Sequence, residues 1–337
     1  MAINKYGDIN PRTAAFAAKR LLKRGQDLLI TERFGQFDAQ GKNKTKSRKW
    51  RRYESLAPAT SALTEGVTPN SSSITFTDIQ ATLEQYGDYV EITDVIQDTH
   101  EDPVLNEMMD VCGEQAAETI ELLRIAVLTA GSNVFYGGGV ASRSLVNSAP
   151  SRGDFRKVYR SFKKNKAMEI SKIIKAGPNI ATEPVAKAYF AMGHTDLDAD
   201  IREISGFIPA EKYSDSTKMM PGEIGKLENI RIILTNLFNP WLEAGADSTT
   251  FLSDGDEVGV AAAADVYPII VVARDSYGIV PLQGHNAVTP SVMNPGVSKS
   301  DPLGQRGFVS WKTYQTSAIL NQTWIARIEV CATANPT

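Results

Sequence analysis

Chemistry in this chain would have to be built from three histidines, His100, His194 and His285, and two cysteines, Cys112 and Cys331. That is too little for a four-cysteine zinc site or a disulfide scaffold. Cys112 falls on an apolar helical stripe and Cys331 in an apolar strand, so both read as buried thiols. His100-Glu101-Asp102 with Asp94 and Asp98 could offer oxygens to a divalent cation, but acidic residues ahead of a helix also suit its positive end, and that reading is preferred. Ser253-Asp254-Gly255-Asp256-Glu257 lacks the spacing and closing bidentate Glu of a calcium loop. His194-Thr195-Asp196 pairs a base with a carboxylate, yet no Gly-x-Ser-x-Gly nucleophile accompanies it, and Thr195 or Asp196 is expected to cap a short helix. Gly137-Gly138-Gly139 follows a helix instead of opening one and has no Gly-Lys-Ser/Thr after it, so it is no phosphate cradle. Arg152-Gly153-Asp154 reads as a helix start, with Ser151 as cap and Asp154 three residues on. No set combines nucleophile, base and oxyanion donor. The chain is read as a non-enzyme with no catalytic residue, cofactor or metal.

Binding chemistry is better represented. Lys42, Lys44, Lys46, Arg48, Lys49, Arg51 and Arg52 surround Trp50 and Tyr53, a mixture that could contact phosphates and stack on bases. The complement also lies within the chain: residues 1–60 carry 14 Lys/Arg against 5 Asp/Glu, residues 61–130 carry one Lys/Arg against 14 Asp/Glu, and the total is −3. Charges sorted into opposite blocks can steer neighbouring copies into register. Trp50, Arg51, Arg52 and Tyr53 are therefore expected at a contact between subunits, with the 42–52 segment meeting the acidic 78–121 region of a neighbour. Arg51→Glu is expected to reduce assembly and leave the fold intact.

The elements that must position these residues are unusual in their lengths. The 337 residues, 42% apolar and 22% charged, suffice for about two domains. No run reaches the roughly 20 apolar residues of a membrane span, and the first residues carry no apolar signal core, so export by that route is not expected. Residues 11–29 read as a helix after a loose arm. Period-two alternation over 73–96, without proline, predicts β structure of about 20 residues that forms a two-stranded ribbon with 47–55. Such a ribbon needs support, which a neighbouring subunit would supply. Leu105, Met108, Met109, Cys112, Ala116, Ile120, Leu123 and Val127 mark a helix over 102–130, closed by Gly131. Phe155, Val158, Tyr159 and Phe162 mark a second helix, within a 151–175 stretch of nine Lys/Arg and two Asp/Glu. It could pair with the acidic rod or face a polyanion. Strands are expected at 188–192, 230–234 and 269–273 and in two closing segments around Trp311 and Ile328, with a short helix at 196–204. Residues 57–73, 239–262 and 284–306 read as loops.

A resemblance joins these features. The runs Thr31-Glu32-Arg33-Phe34-Gly35-Gln36, Lys49-Trp50-Arg51-Arg52-Tyr53, Leu63-Thr64-Glu65-Gly66-Val67-Thr68-Pro69 and Gln85-Tyr86-Gly87-Asp88-Tyr89-Val90-Glu91-Ile92-Thr93-Asp94-Val95 resemble major capsid proteins of tailed bacteriophages, specifically the N-four-type coat protein family. Thr99-His100-Glu101-Asp102-Pro103, Gly113-Glu114-Gln115-Ala116-Ala117-Glu118-Thr119-Ile120, His194-Thr195-Asp196-Leu197, Pro221-Gly222-Glu223-Ile224-Gly225, Asp265-Val266-Tyr267-Pro268 and Asp301-Pro302-Leu303-Gly304-Gln305-Arg306-Gly307 continue it in order.

The resemblance implies an α+β chain with the Hong Kong ninety-seven-like capsid fold. Residues 1–44 would be an N-terminal arm and 45–92 an extended β-hairpin loop lying over an adjacent subunit. A peripheral domain would span 93–185, with the spine helix at 102–130, followed by an axial domain over 186–304 and return strands of the peripheral domain over 305–337. It implies a major capsid protein that self-assembles, as hexamers and pentamers, into an icosahedral shell around double-stranded DNA. The implied partners are a portal protein, scaffolding and decoration proteins and the packaged DNA, with no membrane; the location is the virion, and the host cytoplasm during assembly. An encapsulin-type compartment shares the architecture, and a nucleic-acid-binding protein is a more distant alternative.

Overall fold

The computed structural model describes residues 29–41, 43–99, 104–175, 181–213, 220–253, 262–282, 288–297 and 301–334. The helix expected over 11–29 lies almost wholly outside them. From Leu29 the chain makes a 3-10 turn at Thr31–Arg33 and enters β1 (Gln36–Phe37), β2 (Ser47–Tyr53), β3 (Phe76–Thr82) and β4 (Glu84–Thr93). Helices α1 (Asp94–Thr99) and α2 (Val104–Thr129) follow, then β5 (Val134–Tyr136), α3 (Arg152–Lys164), β6 (Ile170–Lys175) and β7 (Ala181–Gly193). Next come α4 (Asp198–Glu203), β8 (Phe207–Pro209), β9 (Glu223–Leu227), β10 (Ile230–Leu234), β11 (Asp247–Ser248) and β12 (Ala262–Ala263). The chain closes through β13 (Tyr267–Val272), β14 (Tyr277–Pro281), β15 (Val288–Met293), β16 (Arg306–Ile319) and β17 (Ile325–Val330).

Two large sheets organise the molecule. One has five strands around β16: β4 pairs along it from Arg306↔Thr93 to Gln315↔Glu84, while β15 and β14 pair with successive stretches of its other edge, and β1 adds to β14. Helix α2, 26 residues long and about 39 Å at 1.5 Å per residue, covers one face. There Met109, Cys112, Ala116 and Ile120 pack against Val288, Val309 and Trp311. The second sheet runs β5-β17-β13-β7-β10-β9-β8, with β6 on β7. Its central strands are buried on both faces, so they read as continuous apolar runs and not as alternation. Tyr189, Ala191, Ile269 and Val271 face Phe155, Val158 and Phe162 of α3. Phe190, Met192, Ile270 and Val272 face Phe34, Leu128 and Tyr277 on the opposite side. The Phe34 ring stacks on Phe190 at 4.4 Å, which brings the entering chain into this second core.

Several expectations change. The 73–96 run divides at buried Leu83, whose N–H donates to the Lys46 carbonyl; β3 stays with β2, whereas β4 leaves for β16. Its last residues, from Asp94, are helical. Within the stretch expected as a 284–306 loop, β15 forms because β16 supplies a complete ladder from Val288↔Thr313 to Met293↔Phe308. Ser151 does not cap α3 through a side-chain bond to the backbone; its hydroxyl donates to Asp154 Oδ2 at 2.6 Å, and Lys157 meets the other oxygen at 3.0 Å. At the 195–197 turn the cap is His194, whose Nδ1 accepts from the Asp196 N–H at 3.2 Å, in place of Thr195 or Asp196. The boundary expected at 185/186 falls inside β7. Strand pairing also crosses the expected segments: β14 and β15 join the sheet of β4 and β16, and β17 joins that of β7 and β13.

Candidate assembly surface

Strand alternation divides the four residues expected at a subunit contact. In the β2–β3 ribbon Trp50 opposes Ile79 and Arg52 opposes Thr77, while Arg51 opposes Asp78 and Tyr53 opposes Phe76. Successive side chains point to opposite faces, so Trp50 and Arg52 share one face and Arg51 and Tyr53 the other. The first face lies on the chain's own body. A Cβ at Gly278 would sit 2.7 Å from Trp50 Cζ2, so glycine is what lets the indole lie flat on β14. Arg52 donates to the Leu320 carbonyl at 3.2 Å and pairs with Glu54 at 2.8 Å. On this face the ribbon rests on its own chain, where a neighbouring subunit was the expected support.

The second face points outward. Arg51 grips Asp78 with two bonds of 2.8 and 2.9 Å, and its guanidinium lies 4.2 Å from the centre of the Phe76 ring. Tyr53 meets Phe76 edge-on at 6.3 Å. The bond from Arg51 holds the Asp78 carboxyl below its usual range. Arg51 therefore finds its carboxylate in its own ribbon and not only in a neighbour. Exposed apolar side chains are frequent in this part of the sequence. Ten of the nineteen exposed large apolar side chains among the described residues fall between Tyr53 and Ile96, including Leu63 at 77% and Ile74 at 64% exposure. Exposed apolar side chains in such number make this stretch a candidate interaction surface. Residues 54–75 contain no regular strand or helix, as expected of a loop, but they carry Leu56, Leu63, Val67 and Ile74 into solvent.

A second uncovered surface lies on the five-stranded sheet. Because Val309 and Trp311 face α2, their neighbours Phe308, Ser310 and Lys312 face the other way. With Gly87, Tyr89 and Ser291 they line a depression of about 700 Å³. A Cβ at Gly87 would lie 2.6 Å from the Trp311 carbonyl oxygen, so the close approach of β4 to β16 requires glycine there.

Helix α2 also fixes the entering chain. The fully buried Glu121 accepts from the Ile30 and Thr31 amides at 3.2 and 2.8 Å and from the Thr31 hydroxyl at 2.7 Å. Tyr277 donates its hydroxyl to the Thr31 carbonyl, and Arg124 bonds Glu32 at 3.3 Å. Burial raises the Glu121 pKa above the usual carboxylate value of 4.5, against the opposing pull of Arg124 and the Thr31 bonds. A carboxyl whose folded pKa is raised stabilises the fold fully below its unfolded pKa, and that contribution is lost as pH rises through the folded value. Glu121→Gln is therefore expected to gain stability over the native chain progressively as pH rises above about 4.5, as measured by thermal melts of the two chains across pH. A gap that shrinks with rising pH would contradict this.

A model of the family described as "Phage capsid protein" matches residues 77–328, three quarters of the chain. The chain belongs to the phage capsid protein family. A major capsid protein of Pseudomonas phage KPP21 is 25% identical over 280 residues, which cover 75% of this capsid protein and 68% of the relative. The capsid of Ralstonia phage GP4 has a TM-score of 0.66 at 11% identity, covering 91% of this chain and 92% of that one. The SrpI encapsulin of Synechococcus elongatus shares the fold at a TM-score of 0.53 and 10% identity, covering 98% of this chain and 92% of that one. The Hong Kong ninety-seven-like fold is thus common to both, and the family match places this chain among the phage capsids.

Of the described residues weighed for catalysis or metal binding, His194 and Asp196 do meet, with Nδ1 3.0 Å from Oδ2, and the Asp196 carboxylate also accepts from the Tyr267 hydroxyl at 2.9 Å. No group of three or more His, Cys, Asp or Glu side chains among the described residues could hold a metal ion. Cys112 and Cys331 are both buried, and burial pushes the Cys331 thiol up to about 12. His100, Glu101, Asp102, His285 and residues 254–257 lie outside the described residues. Sequence reasoning did not single out Leu56, Leu63, Val67, Ile74 and Phe76 as exposed; Leu63 and Val67 lie in the stretch read as a loop, and Ile74 and Phe76 were read as alternating positions of the 73–96 β run.

Proposed function

We propose that copies of this capsid protein join through the outward face of the ribbon and the exposed apolar side chains of the 54–75 segment, which lie over a neighbouring subunit and there meet the open face of its five-stranded sheet. The observation that carries this reading is the two-faced ribbon: one face is anchored on its own chain through Trp50 and Arg52, and the other presents Arg51, Tyr53 and Phe76. Helix α2 with the five-stranded sheet would act as the peripheral domain and the eight-stranded sheet as the axial domain. Hexamers and pentamers of this unit would close an icosahedral shell around double-stranded DNA, without catalysis, in the host cytoplasm. Portal, scaffolding and decoration proteins are the further partners of such a shell, and the motif runs support an N-four-type coat protein. On α3, Arg152, Arg156, Arg160 and Lys164 recur every fourth residue; the first two share Glu228, and Arg160 and Lys164 have no carboxylate partner among the described residues. Such a row suits phosphate contact.

The test is negative-stain electron microscopy of the purified chain. Uniform closed shells tens of nanometres across are expected. Monomers or small oligomers at every salt and pH would remove self-assembly without a partner, and DNA binding by those oligomers would favour the nucleic-acid reading.

A further inference from the structure

The C-terminal end of α2 meets the eight-stranded sheet in two ways: Ile125 and Leu128 pack among Phe190, Ile270 and Ile325, and a polar cluster holds the helix terminus. Arg327 of β17 donates to the carbonyls of Thr129 and Gly131, the latter at 3.3 Å, and its Nε donates to Glu329 at 2.7 Å. Thr129 is the last residue of α2 and Gly131 lies just past it; the Arg327 Nη1 reaches both carbonyls, and a cation suits that end of the dipole. Glu329, fully buried, also takes two bonds of 2.8 and 2.9 Å from Arg143. Both guanidiniums face Trp241, at 3.6 Å for Arg143 and 5.4 Å for Arg327. Arg327 is thus held by a carboxylate and a ring that belong to the sheet side, while its remaining donors grip two points on the helix end.

The chain is attached at this junction by other means as well. β5 pairs in parallel with β17 from Val134↔Arg327 to Tyr136↔Glu329, Asn133 bonds the Ile325 carbonyl at 2.9 Å, and the Ser132 amide donates to Gln322 at 3.0 Å. Those bonds hold the segment after the helix. Among the described residues, Arg327 ties the carbonyl of the last helical residue, Thr129, to the buried carboxylate of the sheet.

We propose that Arg327 is a positioning residue for assembly: it fixes the angle between α2 and the eight-stranded sheet, and through that angle the curvature at which subunits join. The proposal rests on the capsid reading but concerns particle size and not particle formation. A planar fork that satisfies a carboxylate and two carbonyls at once defines a direction, which a lysine ammonium does not. Loss of Arg327 leaves Glu329 paired with Arg143, so no buried charge is stranded.

Arg327→Met, Arg327→Lys and Arg143→Met would be compared with the native chain by electron microscopy of particle diameters, with thermal melting of each. The expected result is loss of the single diameter class in both Arg327 variants, and its retention in Arg143→Met, which perturbs the same buried cluster without freeing the helix. A single native diameter in Arg327→Met would overturn the proposal, as would equal scatter in Arg143→Met, which would assign the effect to cluster stability. Should Arg327→Met fail to fold, a map of the native shell decides. The contacts from Arg327 to Thr129 and Gly131, and one helix-to-sheet angle, are expected at every position of the lattice; an angle that varies with Arg327 detached would refute the assignment. Absence of any particle from the native chain would instead count against the capsid reading.

Discussion

A chain carrying Tyr53→Thr and Phe76→Thr, which puts no like charges opposite each other in the ribbon, should form almost no closed shells while remaining a folded subunit. Both side chains are more than half exposed in the single chain, at 64% and 52%, so their replacement removes little from the subunit's own core. Exposed substitutions away from special features change stability by about 0.5 kcal/mol or less. At a contact the account differs. Burying a large apolar side chain is worth about 1.5–3 kcal/mol, and each 1.4 kcal/mol is about tenfold in association. Two such losses at every contact should lower shell yield by more than about a hundredfold. Sedimentation of the assembled fraction, with the melting temperature of the dispersed subunit as control, measures both arms. Normal shell yield from the double variant would remove the outward ribbon face from the assembly surface. Arg51→Glu is a less clean probe than the sequence suggests. The new carboxylate would oppose Asp78 across the ribbon and would also vacate the Phe76 ring.

The second large effect is on folding. Arg231 on β10 and Glu223 on β9 form a buried pair, with Nε to Oε1 at 2.7 Å. Glu223 also accepts from the Tyr213 hydroxyl at 3.0 Å and the Met220 amide at 3.2 Å. Burial, then the Glu223 charge, pushes the Tyr213 phenol above its ordinary value, so it stays a donor at neutral pH. Arg231→Met strands the Glu223 carboxylate in the core and should cost about 3–5 kcal/mol in urea unfolding of the dispersed subunit. Arg231→Met with Glu223→Gln removes the stranded charge and should recover a substantial part of that loss. A cost below about 1 kcal/mol for the single variant would show that the carboxylate is not held there by the guanidinium.

The sequence was most legible where structure is local or buried on both sides. The α2 stripe and the run at 269–273 needed only periodicity or a continuous apolar stretch. The ribbon was legible in part. Ile79, Ala81 and Leu83 hold odd positions, whereas Val90 and Ile92 hold even ones. That slip of phase is the mark of a strand that changes its supporting sheet, and β3 and β4 do part at Leu83. Strand β15 was illegible because Thr289, Pro290 and Ser291 carry no apolar pattern; its ladder comes from β16, whose paired residues are about 20 positions away. For the assembly surface, alternation alone could have separated Trp50 and Arg52 from Arg51 and Tyr53. Which face turns inward depends on Gly278, more than 200 residues later, and no local pattern contains it.

The break at Leu83 also has a mechanical meaning. Only one residue separates β3 from β4, so a tug on the ribbon by a neighbouring copy travels along the chain into β4. There it meets ten consecutive residues paired antiparallel with β16. The load enters at Glu84, opposite Gln315, and Gln315 is braced on its other edge by Pro281 of β14. A pull along β4 must shear this ladder with its bonds sharing the force, instead of peeling them apart one at a time. The ribbon is thereby tethered to one of the subunit's longest continuous seams.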